Sequence, residues 1–373
     1  MNFAKYRNCM IRNPLYQGDA MFRKIILFLP VLLSLACSLA SAPVMEAPSD
    51  ENQPAETQPA PITPEAATSA LTAEPVNVSD YAIFSINVQD FSYPEQSAAV
   101  LDRIITLHET YNVPVDIYLT DVMAQIYAEQ FPQLLERLKT SPVVAISYHY
   151  RAPRPYANNY DWLGLRNMSA DEMYQTVMRY ETHAVDPVTG QTTDATGGYQ
   201  YVASLIGYPP YAASSLSSDA EVDSALMRVF KDLGAQMTVV HGRALNLGDT
   251  KKGLYIRPEH YDYMLFQNVG ADPAAAFENA LNESHNSQGI APYFVGVKMH
   301  DNDFFSTQSA WLTVYVDGGK RPNWEPNLKS PLLSQSEQDA MWAMYEQTVL
   351  YVASQNNLIG IVNLPMVLEM IKK

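Results

Sequence analysis

Residues 81–93 read YAIFSINVQDFSY, an apolar run that ends in polar residues. The run 81–88 has the composition of a buried strand, and Asn87, Val88, Gln89 and Asp90 form a polar turn behind it. Many α/β barrels place their catalytic residues at the carboxyl ends of strands. We therefore expect 81–88 to be the first strand of an α/β domain, with Asp90 at the edge of a site.

Beyond this strand, strand-like and helix-like segments alternate along the chain. Ser169 and Glu172 have the spacing of a capping box at a helix start, Ser336 is the predicted cap of a late helix, and Pro132 marks a break in an early one. The order of strand then helix predicts a mostly parallel sheet covered by helices. The size of the domain and the polar residues at its strand ends favour a barrel, complete or incomplete, over an open doubly wound sheet. The predicted helices are 95–111, 121–139, 169–182, 218–233, 271–281, 334–356 and 365–371, and the predicted strands are 113–119, 142–150, 235–241, 292–300 and 358–362; 199–206 fits either.

Several predicted strands end in histidine. His149 and His241 each end one, and His300 ends another with Asp301, Asn302 and Asp303 directly behind it. A histidine at a strand end is more often a hydrogen-bonded structural residue than a ligand, and Asp90 could simply cap a helix. The cluster at 300–303 is the densest polar group at any predicted strand end, which favours a functional role. His260 and His285 lie in segments typical of surface loops.

The chain before the domain has two parts. Residues 1–41 form a leader in which Met21, the expected true start, precedes basic residues and the short apolar run 25–36 of a signal peptide. Cys37 lies in a segment similar to a bacterial lipobox, so we expect an exported protein, at the cell surface or in the periplasm, with a lipid anchor at Cys37; ordinary cleavage near Ala40 is the alternative. Residues 42–77 are rich in Pro, Ala, Glu and Thr, which predicts a disordered tether, and the folded domain is 78–373.

The overall composition excludes several kinds of protein. A formal net charge of −16 without a basic stripe argues against a nucleic-acid partner. Both cysteines, Cys9 and Cys37, precede the domain, so a disulfide framework or a thiolate metal site within it is excluded. No glycine-rich phosphate loop follows a predicted strand, so nucleotide binding has no support.

The order of the strand-end motifs resembles that of the polysaccharide deacetylase family, the NodB-like carbohydrate esterases. Asp90 matches the family's metal-binding Asp, and Asn87 stands where the family has an Asp that acts as general base. His149 matches the first of two metal-binding histidines, and Pro153 occupies the position of the second. The late motif, residues 297–301, is similar to the family's Leu-x-His-Asp, with His300 matching the histidine that acts as an acid.

The resemblance implies a distorted (β/α) barrel and the removal of acetyl groups, by amide or ester hydrolysis, from a glycan of the cell envelope or its surroundings. It implies a divalent metal, zinc by preference, with Asp90 and His149 as ligands and the third ligand missing from its expected position. It also implies that His300 takes part in the reaction as an acid. With Asn87 unable to serve as a base, Asp301, Asp303, Asp116 or Asp121 could take that role. Candidate substrate contacts surround these motifs: Tyr150, Arg151, Arg154, Tyr208, Tyr211, His241 and Asp303.

Three functions remain open from the sequence. The first is an exported, metal-dependent deacetylase. The second is a catalytically inactive relative that binds a glycan, since Asn87, Pro153 and Tyr208 stand where the family has other residues. The third is glycosidic cleavage by paired carboxylates, with Asp301 or Asp303 as candidates.

Overall fold

The computed structural model describes residues 78–150, 163–186, 191–215, 217–242, 244–314, 325 and 327–373. The predicted leader with Met21 and Cys37, the predicted tether, and the loop that contains Arg151, Pro153 and Arg154 lie outside these ranges. Within them, no helix is long and apolar enough to cross a membrane.

Eleven strands and ten α-helices are described, and short 3₁₀ turns lie at 165–167, 265–268 and 301–304. The strands are β1 (Asp80–Val88), β2 (Val115–Leu119), β3 (Val144–Tyr148), β4 (His183–Val185), β5 (Thr192–Thr196), β6 (Met237–Thr238), β7 (Thr250–Lys251), β8 (Leu254–Ile256), β9 (Tyr261–Met264), β10 (Tyr293–His300) and β11 (Ile359–Ile361). The helices are α1 (Pro94–Tyr111), α2 (Asp121–Gln130), α3 (Pro132–Thr140), α4 (Ala170–Thr182), α5 (Gly198–Ile206), α6 (Ala220–Asp232), α7 (Pro273–His285), α8 (Ala310–Val314), α9 (Gln335–Ser354) and α10 (Leu364–Lys372).

The main sheet has six parallel strands and β1 lies at its centre. The strand order is β3-β2-β1-β10-β9, and β11 pairs with the start of β1. β10 runs beside the whole of β1, from Asp80 opposite Tyr293 to Asn87 opposite His300. β2 pairs with the second half of β1, where Phe84 lies opposite Val115. This confirms the predicted α/β class with a mostly parallel sheet.

Backbone hydrogen bonds extend the strand order beyond β3. Tyr148 N donates to Ala212 O at 2.8 Å, and Met237 N donates to Tyr211 O at 2.9 Å, so Tyr211 and Ala212 join β3 to β6. β6 pairs in parallel with β8. Residues 257–260 then lead from β8 into β9 at the far edge of the main sheet. The strands thus surround an interior, although within the described ranges their pairing alone does not close a ring.

The two faces of β1 point into two apolar clusters. The outer face, with Phe84 and Ile86, packs in a large core that includes residues of α1, such as Leu101 and Ile104. The inner face places Ile83 in a smaller cluster, in which β2, β6, β10 and α10 also take part. Its buried members are Ile83, Tyr118, Ala212, Met237, Phe294, Val362, Leu364, Val367 and Leu368. Helix α10 therefore packs on the interior near the amino ends of the strands.

Several local predictions are confirmed. Ser169 caps α4 in a capping box with Glu172, and the helix predicted at 121–139 divides at Phe131, with Pro132 in the first turn of α3. The segment 199–206, for which the sequence left helix and strand open, is helical. The cap of α9 is Ser334 rather than Ser336, in a box with Glu337.

Other local predictions were wrong. The antiparallel pair β4–β5 lies in a segment for which the sequence predicts no strand. The strand predicted at 235–241 is shorter, and His241 lies beyond its end. His260 is fully buried rather than in a surface loop, because its ring lies between Asn246 and the backbone of β10.

Candidate functional site

A cavity of about 290 Å³ opens at the carboxyl ends of the central strands. Asn87 from β1, His300 from β10 and Tyr118 from β2 line it. They lie in one row, because Asn87 is opposite His300 on one side and opposite Tyr118 on the other. The volume is close to the lower end of the range for ligand sites, ~300–1,000 Å³.

The alternation of side chains along β1 explains why the cavity forms here. Ile83 belongs to the inner apolar cluster, and Ser85 and Asn87, two and four residues further on, line the cavity. Side chains two apart on a strand share a face. The interior therefore changes from apolar near α10 to polar at the carboxyl ends.

His300 is oriented by Asp303. The carboxylate Oδ2 of Asp303 lies 3.1 Å from His300 Nδ1 and accepts a hydrogen bond from His300 N at 2.8 Å. Burial lowers the pKa of His300, but the charge and hydrogen bond of Asp303 outweigh it, so the pKa is raised above its usual value. Asp303 thereby engages Nδ1 and leaves Nε2 as the ring nitrogen for a ligand. A histidine held in this way suits proton donation.

Asp90 and Asp301 are buried together beside the cavity wall, and neither lines the cavity. Asp90 accepts backbone hydrogen bonds from Ser92 N at 3.0 Å and Ala310 N at 3.2 Å. Asp301 accepts from Ser97 Oγ at 2.6 Å and from Asp90 N at 3.1 Å. Burial, followed by the charge of Asp301, raises the pKa of Asp90 to about 7. The pair therefore ties the turn after β1 to the turn after β10.

His149, the predicted partner of Asp90, does line the cavity. Its Nδ1 lies 3.0 Å from Tyr150 O, and the two rings are 4.3 Å apart between centroids. In the part of the chain that the structure describes, no three His, Cys, Asp or Glu side chains come close enough together to hold a metal ion. Because Asp90 is fully buried and does not line the cavity that His149 lines, the described residues do not fit the predicted zinc site.

The predicted substrate contacts divide into two groups. Tyr150 and His241 line the cavity, whereas Tyr208 and Tyr211 do not. Ile146 N donates to the hydroxyl of Tyr208 at 3.3 Å, and burial raises the pKa of Tyr208 to about 12. The rings of Tyr208 and Tyr211 pack together with centroids 5.4 Å apart, so both act in packing.

Two buried cations of the cavity wall were missed by the sequence analysis. Arg257 donates through Nη1 to Ser85 Oγ at 2.6 Å and through Nη2 to Glu259. Lys298 Nζ contacts Asp262 Oδ2 at 2.6 Å. Arg257 follows a strand of three residues, too short for a clear pattern. Lys298 was detectable, since it lies two residues before His300 in an otherwise apolar strand, on the same face.

No protein-family model matches the chain. No curated protein matches it either.

Solved structures do show similarity. A proposed polysaccharide deacetylase from Mycobacterium smegmatis is 13% identical with a TM-score of 0.43, over 83% of this chain and 95% of the other. A 4-alpha-glucanotransferase from Thermococcus litoralis is 11% identical with a TM-score of 0.45, over 78% of this chain and 40% of the other. A CE4 family pseudoenzyme from Bacillus anthracis is 11% identical with a TM-score of 0.38, over 79% and 66%. The family that the sequence resembles is thus among the similar structures, but likeness at this level carries no argument about activity.

Proposed function

We propose that this protein binds a glycan in the cavity at the carboxyl ends of the strands, without metal-dependent hydrolysis. The observation that carries the proposal is the position of Asp90. Its carboxylate is buried behind the wall and accepts hydrogen bonds from the amides of Ser92 and Ala310, while Asn87 faces the cavity in place of a base.

The side chains that line the cavity are of kinds that suit a saccharide ligand. Tyr118 and Tyr150 bring aromatic rings to the cavity, and Asn87 and Gln89 bring amides. Amide side chains both donate and accept hydrogen bonds, as sugar hydroxyls require. Aromatic rings offer an apolar surface to the C–H face of a sugar ring. An exported location, with the protein held at the cell surface or in the periplasm, belongs to the same proposal and rests on the leader sequence alone.

The test compares binding with hydrolysis on the same protein. Isothermal titration calorimetry with a panel of neutral and acidic oligosaccharides in EDTA should give saturable binding. Acetate release from chitooligosaccharides should be absent with zinc, cobalt or manganese added. Asn87→Ala should weaken binding, whereas Asn282→Ala, at an exposed position in α7, should not. Metal-dependent acetate release by the purified protein would overturn the proposal.

The predicted metal-dependent deacetylase is the second candidate, and His300 is the observation that favours it. Its raised pKa and its contact with Asp303 suit a general acid for a departing amine. A metal would need ligands from outside the described ranges. Introducing Asn87→Asp together with Pro153→His supplies the family's base and second histidine. Because Asp90 would remain buried outside the cavity lining, we expect no acetate release from this double variant, and a gain of activity would favour the second candidate.

A further inference from the structure

We propose that the cavity selects an anionic saccharide, one that carries a carboxylate or another acidic group, through Lys298, Arg257 and His300. This inference rests on the proposed glycan binding and names the class of glycan.

Among the described residues, the permanently charged side chains that line the cavity are two cations, Arg257 and Lys298. His149, His241 and His300 line it as well; the pKa of His300 is raised, whereas burial lowers the pKa of His241 to about 4 and favours its neutral ring. None of the described lining residues is an aspartate or a glutamate. This is unusual in a chain with a formal net charge of −16, whose remaining surface disfavours an anion.

The register of the strands brings the cations together. Lys298 lies opposite Ser85 on the neighbouring strand, and Arg257 donates to the hydroxyl of Ser85 at 2.6 Å. The next row on this face, toward the carboxyl ends and the opening of the cavity, contains Asn87 and His300, so the cations lie one layer below the histidine. An acidic group entering past His300 would meet both of them.

The carboxylates that balance these cations lie behind the wall. Glu259 pairs with Arg257, and Asp262 pairs with Lys298. Neither carboxylate lines the cavity. Each ion pair offsets part of the free energy that it costs to bury the cation. Because the carboxylates lie behind the wall, the cations are the charged groups nearest the cavity.

Two groups near the cations also favour an anionic ligand, because each can donate a hydrogen bond to it. Burial raises the pKa of Tyr118, so its hydroxyl stays protonated and can donate. The charge and hydrogen bond of Asp303 favour the protonated imidazole of His300 despite burial. Guanidinium and ammonium groups make the stronger, charge-assisted hydrogen bonds with carboxylate, sulfate and phosphate oxygens.

The experiment is titration calorimetry with three trisaccharides. Two are acidic: trigalacturonate, which carries carboxylates, and a trisaccharide of otherwise uncharged sugars that carries sulfate groups. The third, chitotriose, is neutral. We expect at least one acidic probe to bind about tenfold or more tightly than chitotriose, and the two acidic probes show which group is preferred. Equal or tighter binding of chitotriose would overturn the inference and leave the proposed glycan binding intact. Binding of none of the probes would overturn both.

Variants assign the selectivity to Lys298. The double variant Lys298→Met with Asp262→Asn removes the cation and its partner together, so no buried carboxylate is left unpaired. It should reduce the ratio of the affinity for the acidic probe to that for chitotriose several-fold, and Arg257 and His300 account for the preference that remains. Lys298→Arg, with Asp262 retained, keeps a paired cation at this position and should keep the preference. Circular dichroism and thermal unfolding check that both variants fold, and an unchanged preference in a folded double variant would refute the role of Lys298.

Discussion

Asp116 should make the stability of this protein fall as the pH rises. Its side chain is fully buried on the inner face of β2. Oδ1 accepts a hydrogen bond from Leu364 N at 3.1 Å, and Oδ2 has no partner in the described part of the chain. Burial raises the pKa of Asp116 from 3.8 to about 7, although the Leu364 amide and Arg257 oppose this.

Stability falls with rising pH because the folded protein holds a proton more tightly than the unfolded chain does. Between pH 4 and pH 7 the folded protein keeps a proton on Asp116 that the unfolded chain has lost, so this contribution to stability is complete at low pH and disappears as the pH rises through 7. Each pH unit in that window changes the free energy of unfolding by about 1.4 kcal/mol. From pH 5 to pH 8 the loss through Asp116 is therefore about 3 kcal/mol.

Asp116→Asn tests this, because an amide resembles the protonated carboxyl in shape and does not titrate. Urea unfolding at pH 5 and pH 8 should show the variant gaining about 3 kcal/mol on the wild type between the two conditions. The control is Asp171→Asn, at a position with 94% of its side chain exposed, which should differ from the wild type by the same amount at both pH values. If Asp116→Asn also differs by a constant amount, the buried carboxyl is not protonated at pH 5 and the reasoning fails.

Three further predictions concern stability and can be measured by urea unfolding. Leu368→Ala should cost about 2–5 kcal/mol, because the side chain is 3% exposed in the inner apolar cluster. Ser97→Ala removes the hydroxyl that donates to Asp301 at 2.6 Å and should cost about 1–3 kcal/mol, whereas exposed Ser336→Ala should cost less than about 0.5 kcal/mol. Burial lowers the pKa of His108 to about 4, so its contribution to stability is lost as the pH falls from 6.5 toward 4, and His108→Gln should remove that part of the pH dependence.

The long strands were predictable because their patterns are strong. β1 and β10 are apolar over most of their length and end in polar residues, and the sequence contains that information locally. Their adjacency was not predictable in the same way, since β1 and β10 lie far apart in the chain. The shortest strands, such as β8, are too brief to show a period, and Arg257 was missed with them.

The site was predictable only as far as the strands extend. Asn87 lies within β1, where alternation along the strand fixes its direction into the cavity. Asp90 follows the last strand residue, Val88, so alternation no longer determines where its side chain points. The turn directs the carboxylate toward Ser92 and Ala310 instead. Motif position therefore predicted the place of Asp90 in the chain but not the direction of its side chain.

Several buried polar groups in the interior reduce the stability of the fold, so their presence needs another explanation. Asp116, Glu259 and Asp262 each have one buried oxygen without a partner in the described residues. An unsatisfied buried polar group costs about 1–3 kcal/mol, and well-packed apolar residues often replace buried ion pairs with no loss of stability. Glu259 and Asp262 pair with the cations that face the cavity, Arg257 and Lys298. Stability alone does not explain charges in this position, whereas the proposed recognition of an acidic ligand would.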